Sequence, residues 1–121
     1  MLPNEDSLPA ESEADCELEM NRHIFKNPET TIIVRMDGDY FKSQGIFHND
    51  LVVADCAIEP QDGRLVVAMV KGQQIVRRLS RKGKREVLLT DDRPSTLMEV
   101  GGTRRVRIIA VVTHSIHVLP E

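Results

Sequence analysis

Four histidines, two cysteines and a scatter of serines and lysines are the side chains of this 121-residue chain that could carry metal, nucleophilic or proton-transfer chemistry. His114 and His117 stand three positions apart on or beside an extended segment, where odd spacing turns the two rings to opposite faces and gives no converging metal ligands. His23 and His48 each stand alone in polar surroundings, as surface histidines do. Cys16 and Cys56 make a poor disulfide framework and read as free thiols. The seven glycines are scattered among turns, without the clustering between a strand and a helix that a phosphate-cradling loop requires. These residues predict neither a metal nor a cofactor.

The elements that must position any site are strands. Forty per cent of the chain is hydrophobic, mostly Val, Ile and Leu with three Phe, one Tyr and no Trp, enough for one modest core and suited to β-structure. Thr30 to Met36 and Leu51 to Ala54 are β-branched runs, joined by a polar connector that could hold one helical turn within Asp39 to Phe47. His48-Asn49-Asp50 reads as a turn, with Asn the residue that best tolerates a left-handed backbone, and Pro60-Gln61-Asp62-Gly63 as another. Leu65 to Val70 and Gln74 to Leu79 flank Lys71-Gly72-Gln73 as a hairpin. A second hairpin turns at Lys82-Gly83-Lys84 into Glu86 to Thr90, and Gly101-Gly102 precedes a last strand, Val106 to Val112. Six or seven short strands with almost no helix predict a mainly β fold: a small, coiled, barrel-like antiparallel sheet.

Charge divides the chain. Residues 1–22 hold Pro3, Pro9 and seven acids between Glu5 and Glu19, and predict a flexible acidic N-terminal arm ahead of a β domain at 23–121. Leu18 to Phe25 suits a helical turn or an extended edge equally. From Lys71 to Arg107 basic residues dominate, a face fit to meet an acidic protein surface or nucleic acid, or a solvated face partly neutralised by the arm. No apolar run approaches the roughly 18 residues that span a bilayer, and no basic-then-apolar leader opens the chain, which predicts a cytoplasmic protein without a membrane partner.

Asp37-Gly38-Asp39-Tyr40-Phe41, then Gly45-Ile46, then Asp50-Leu51-Val52-Val53-Ala54-Asp55 resemble the nucleophile region of the LexA/UmuD family of self-cleaving serine peptidases. In that family a Ser-Gly-Asp-Ser-Met motif ends one strand and a Gly-Ile-x-x-Gly-Asp-Leu segment opens the next. Val70 to Leu79 is similar to the strand pair carrying the family's general-base lysine, and Val106 to His114 to its closing strand. Leu18-Glu19-Met20-Asn21 and Asn27-Pro28 look like the UmuD lead-in, so the resemblance runs from about 18 to 118.

The departures carry the functional expectation. Tyr40 stands where the family has its serine and Arg77 where it has its lysine. A general-base lysine must be neutral, which burial permits, whereas a guanidinium stays protonated. Ser43 and Ser80, with Lys42 or Lys71 as nominal bases, are the nearest substitutes. No glycine precedes Gly38, so the Ala-Gly or Cys-Gly bond that family members cut is missing, and the arm begins near where processed UmuD begins. The expectation is a pseudo-peptidase with no catalytic residues, Tyr40 and Arg77 being degenerate dyad positions joined by a hydrogen bond or an aromatic–cation contact.

The resemblance implies a homodimeric, non-catalytic UmuD-like accessory subunit that binds a lesion-bypass DNA polymerase in the SOS response, with the recombinase filament as a further partner. The alternatives are a regulator that pairs with intact LexA- or UmuD-type subunits and a self-cleaving peptidase with an altered dyad; direct nucleic-acid contact stays open. Val106 to Val112 and Thr113 to Leu119 are the expected dimer contact, as an exposed apolar edge, and the acidic arm the expected partner-binding element.

Overall fold

A computed structural model describes residues 26–93, 97–102 and 104–119. The acidic arm, Leu18 to Phe25, His23 and Cys16 lie outside the described residues.

Alternating and continuous β-branched runs become seven strands: β1 (Thr31–Arg35), β2 (Leu51–Asp55), β3 (Leu65–Val70), β4 (Gln73–Lys82), β5 (Arg85–Leu89), β6 (Leu97–Glu99) and β7 (Arg107–Ile116). They form one antiparallel sheet in the order β1-β2-β7-β3-β4-β5-β6. The fold is mainly β, as expected. Single 3-10 turns at Pro28–Thr30 and Lys42–Gln44 are the helical elements among the described residues, and no described helix is long and apolar enough to cross a membrane.

The sheet buries apolar side chains on both faces. Along β3, Val67 joins a cluster with Val34, Phe41, Val52, Val76 and Ala110, while its neighbours Val66 and Ala68 join a second with Leu79, Leu88, Val106 and Val111. Consecutive residues of a strand point oppositely, so a run such as Leu65-Val66-Val67-Ala68 suits a strand covered on both sides. Curvature comes from β7. Between its pairings with β2 an extra residue, Thr113, is inserted, and between its pairings with β3 another, Ile109. Such bulges bend a strand and increase its twist, which lets the two halves of β7 serve different neighbours.

The placement of β7 corrects one expectation. Val106 to Val112 is not an exposed apolar edge: β7 begins at Arg107, lies between β2 and β3, and Val106, Ala110 and Val111 are buried. The reason is long-range register, since β7 supplies the second partner of both β2 and β3. The exposed apolar residues near this terminus are Val118 and Leu119, after the strand. The strands at the two ends of the sheet are β1 and the short β6, the latter absent from the sequence reading.

Candidate functional site

The β1–β2 connection carries Tyr40 to Arg77 of β4. The chain leaves β1 at Arg35 and returns at β2, and the intervening loop is tied to itself at several points. Gly38 N donates to His48 Nδ1 at 2.9 Å, and His48 N donates to Asp39 Oδ1 at 2.7 Å. Phe41, fully buried, forms an isolated bridge with Ile46, and Gly45 closes the turn between them in a left-handed conformation. At its far end the loop is anchored by Asp50, only 1% exposed, which accepts from Phe47 N at 2.9 Å and lies 2.6 Å from His117 Nδ1. Burial pushes the Asp50 carboxyl up, but these bonds outweigh it and hold it below the usual carboxylate range. His48 and His117 are thus structural ties of the loop; nothing local marks the second, whose partner is 67 positions away.

Tyr40 has little freedom. Gly38 has φ +107°, and a Cβ there would lie 2.5 Å from Tyr40 Cε2 and 2.7 Å from Cζ, so the ring rests against bare backbone. On its other side is Arg77, whose guanidinium carbon is 4.9 Å from the ring centroid. Of the two contacts expected between these residues, the aromatic–cation contact is the one formed. Arg77 is half-buried, and Nη1 donates to the carbonyl of its own neighbour Val76 at 2.8 Å. Burial lowers its pKa, the nearby Tyr40 and Asp92 oppose that, and a guanidinium starting so high remains charged.

Tyr40 and Arg77 sit on the wall of a cleft of about 560 Å³, which Ile33, Met36, Gln74 and Val76 also line. Two backbone edges left unpaired among the described residues border it. Among those residues β1 pairs only with β2, and β4 meets β5 only from Arg78 onward, leaving residues 73–77 open on that side. Ile33, 51% exposed, adds apolar surface. A cleft bounded this way can receive an extended backbone.

The substitute nucleophiles are placed elsewhere. Ser43 Oγ donates to Asp91 Oδ2 at 3.4 Å, Lys42 reaches toward Asp39 at 3.9 Å, Ser80 pairs opposite Val87, and Lys71 occupies the β3–β4 turn. None of these hydroxyls meets a lysine amine among the described residues. The described His, Cys, Asp and Glu side chains include no group of three that could hold a metal, and Cys56 is an exposed free thiol.

The basic stretch resolves into two populations. Arg78 grips Asp91 with Nε and Nη2, both at 2.8 Å, Arg81 pairs with Glu86 and Arg85 with Glu99. Lys71, Arg77, Lys82, Lys84, Arg93, Arg104, Arg105 and Arg107 have no carboxylate partner among the described residues.

A small, doubly covered antiparallel sheet with a cleft between its first strand and a β-hairpin defines the class: residues 6–113 match the Peptidase S24-like family, and the chain belongs to it. Among curated proteins it is 32% identical over 111 residues to Protein ImpA of Escherichia coli, covering 90% of this chain and 74% of ImpA. It is 33% identical over 109 residues to Protein SamA of Salmonella typhimurium, covering 90% and 75%. With the LexA repressor of Vibrio parahaemolyticus the identity is 30% over 79 residues, 65% of this chain and 38% of the repressor. The LexA/UmuD resemblance read from the motifs therefore holds over most of the chain.

Proposed function

We propose that this protein is a non-catalytic UmuD-like subunit that dimerises and binds a lesion-bypass DNA polymerase in the response to DNA damage. The observation that carries the reading is the stacking of the Arg77 guanidinium on Tyr40, 4.9 Å from its centroid, at the positions that resemble the family's base and nucleophile. Serine–lysine chemistry needs a hydroxyl beside a neutral amine, so that the alcohol proton can leave as the oxygen attacks. A charged guanidinium over an aromatic face accepts no proton, and the phenol is clamped between Gly38 and Arg77. The cleft remains, with its open backbone edges, so the fold keeps the means to hold a segment without the means to cut it.

In this reading residues 1–22 form the acidic, partner-binding arm and 23–121 the β domain. The dimer contact moves from the β7 edge to the segment after it, where Val118 and Leu119 are exposed. The test is a pull-down from DNA-damaged cells with tagged native chain and with Tyr40→Ser plus Arg77→Lys. Recovery of a lesion-bypass polymerase by both forms is expected. Recovery of intact LexA or UmuD relatives alone would make the protein a regulator instead, and cleavage of an intact family substrate by the native chain would overturn the non-catalytic assignment.

A further inference from the structure

Four of the six residues that line a hollow beside the β3–β4 turn are cations. Its lining is Met69, Lys71, Gly72, Arg104, Arg105 and Arg107, from the β3–β4 turn, the loop before β7 and the first residue of β7. Register brings these together: Met69 pairs with Arg107 across the β3–β7 ladder, while Lys71 and Gly72 form the turn just beyond. The loop is pinned at its base, Gly101 N donating to Val106 O at 2.6 Å and Val106 N to Gly101 O at 3.1 Å.

Three observations bear on these cations. Each is exposed and, like Lys82, Lys84 and Arg93 but unlike Arg78, Arg81 and Arg85, has no carboxylate partner among the described residues; these four differ from the other unpaired cations in sharing one hollow. Lys71 (φ 50°) and Arg105 (φ 53°) are two of the three non-glycine described residues with positive φ, a conformation Gly or Asn adopts at lower cost. The surrounding body is also cationic: residues 26–119 contain fifteen Lys and Arg against eleven Asp and Glu, a surplus of four positive charges in a chain whose net charge is −3.

We propose that this hollow binds the phosphodiester backbone of duplex nucleic acid without reading its bases. Three of the four cations are arginines, whose planar fork matches phosphate oxygens. The lining has no aromatic ring, so it lacks a stacking platform for single-stranded bases. What remains is charge at fixed positions, which supports sequence-independent binding with counterion release.

The test is fluorescence anisotropy with the full chain and a labelled 20-base-pair duplex of arbitrary sequence, titrated across salt. Affinity should fall with a log–log slope of roughly −2 to −4, as two to four phosphate contacts require. Arg104→Glu plus Arg105→Glu should weaken binding about tenfold or more at low salt and flatten the slope by about 2, with Lys71→Glu a smaller loss from a separate element. Lys82→Glu plus Lys84→Glu, an equal charge change at the other hairpin tip, should leave affinity within about twofold. Thermal melts establish that each variant is folded. Absence of salt-dependent binding, equal loss in both double variants, or displacement of the duplex by polyglutamate at matched charge would overturn the proposal, the last favouring an acidic protein instead.

Discussion

Arg77 and Arg78 are consecutive residues of β4 with the same side chain and opposite circumstances. Arg78 makes a two-pronged contact with Asp91, both bonds at 2.8 Å, donates to Gly63 O at 2.8 Å and lies 5.9 Å over the Phe41 ring. Among the described residues Arg77 has only its own neighbour's carbonyl and the Tyr40 face. Period two places them on opposite sides of the strand. One is satisfied, and joins the β4 strand to the segment after β5; the other is held in a cleft by an aromatic ring, with donors to spare. A count of basic residues cannot separate a guanidinium that holds the fold from one available to a ligand; the carboxylates across from it do.

The steepest challenge to the cleft side is Gly38→Ala. It imposes φ +107° on a residue with a side chain and drives a Cβ to 2.5 Å from Tyr40, an expected cost of about 2–3 kcal/mol. In a Tyr40→Ser background the collision disappears while the backbone strain stays, and the cost should fall by roughly half. Urea unfolding of the four proteins of this cycle measures it. Additive effects would mean that the ring does not lean on Gly38.

Arg78→Ala is expected to cost about 1.5 kcal/mol, because it strands the Asp91 carboxylate and the Gly63 carbonyl, discounted for partial exposure. Arg77→Ala should change stability by no more than about 0.5 kcal/mol, since the lost ring contact is offset by removing a half-buried charge. Equal effects in chemical unfolding would dissolve the distinction between the two arginines.

Much of the frame was legible in local chemistry. Asn49, the residue of its turn that best tolerates a left-handed backbone, has φ 73°, and the hairpins turn at Gly72 and Gly83, both with positive φ. The 3-10 turn at Lys42–Gln44 falls inside the connector expected to hold one. The positive φ of Lys71 has no sequence signal, because nothing local favours that conformation at lysine. The middle position of β7 has none because its neighbours β2 and β3 lie some 40 to 60 residues earlier, and strand order is set by pairing that no short window contains. At the cleft, the meeting of Tyr40 with Arg77 was reached only through resemblance to a family; periodicity alone marks neither residue. The pairing of Arg78 with Asp91, and of Asp50 with His117, had no sequence signal at all.

Acid separates the two arginines in a last, smaller way. The Arg78 guanidinium, by hydrogen bonding first and by charge besides, holds the Asp91 carboxyl below its usual range against a partial burial cost. A carboxyl whose folded pKa is depressed binds fewer protons folded than unfolded, so its contribution is complete above the unfolded value, about 4, and is lost as pH falls through the folded one. The stability gap between native chain and Arg78→Ala should therefore be widest near neutrality and narrow by about 1 kcal/mol or less toward roughly pH 3, leaving the Gly63 and Phe41 contacts as a remainder that acid does not remove. Asp50 and Asp55 are also held low, the latter chiefly by Asn27 and Thr30, and they steepen the acid limb of every variant alike, so they cancel in the difference. The gap for Arg77→Ala should stay flat over the same range, because no carboxylate bonds to that side chain among the described residues. A gap that widens in acid for Arg78, or moves with pH for Arg77, would show that the carboxylates are shared between the two faces of β4.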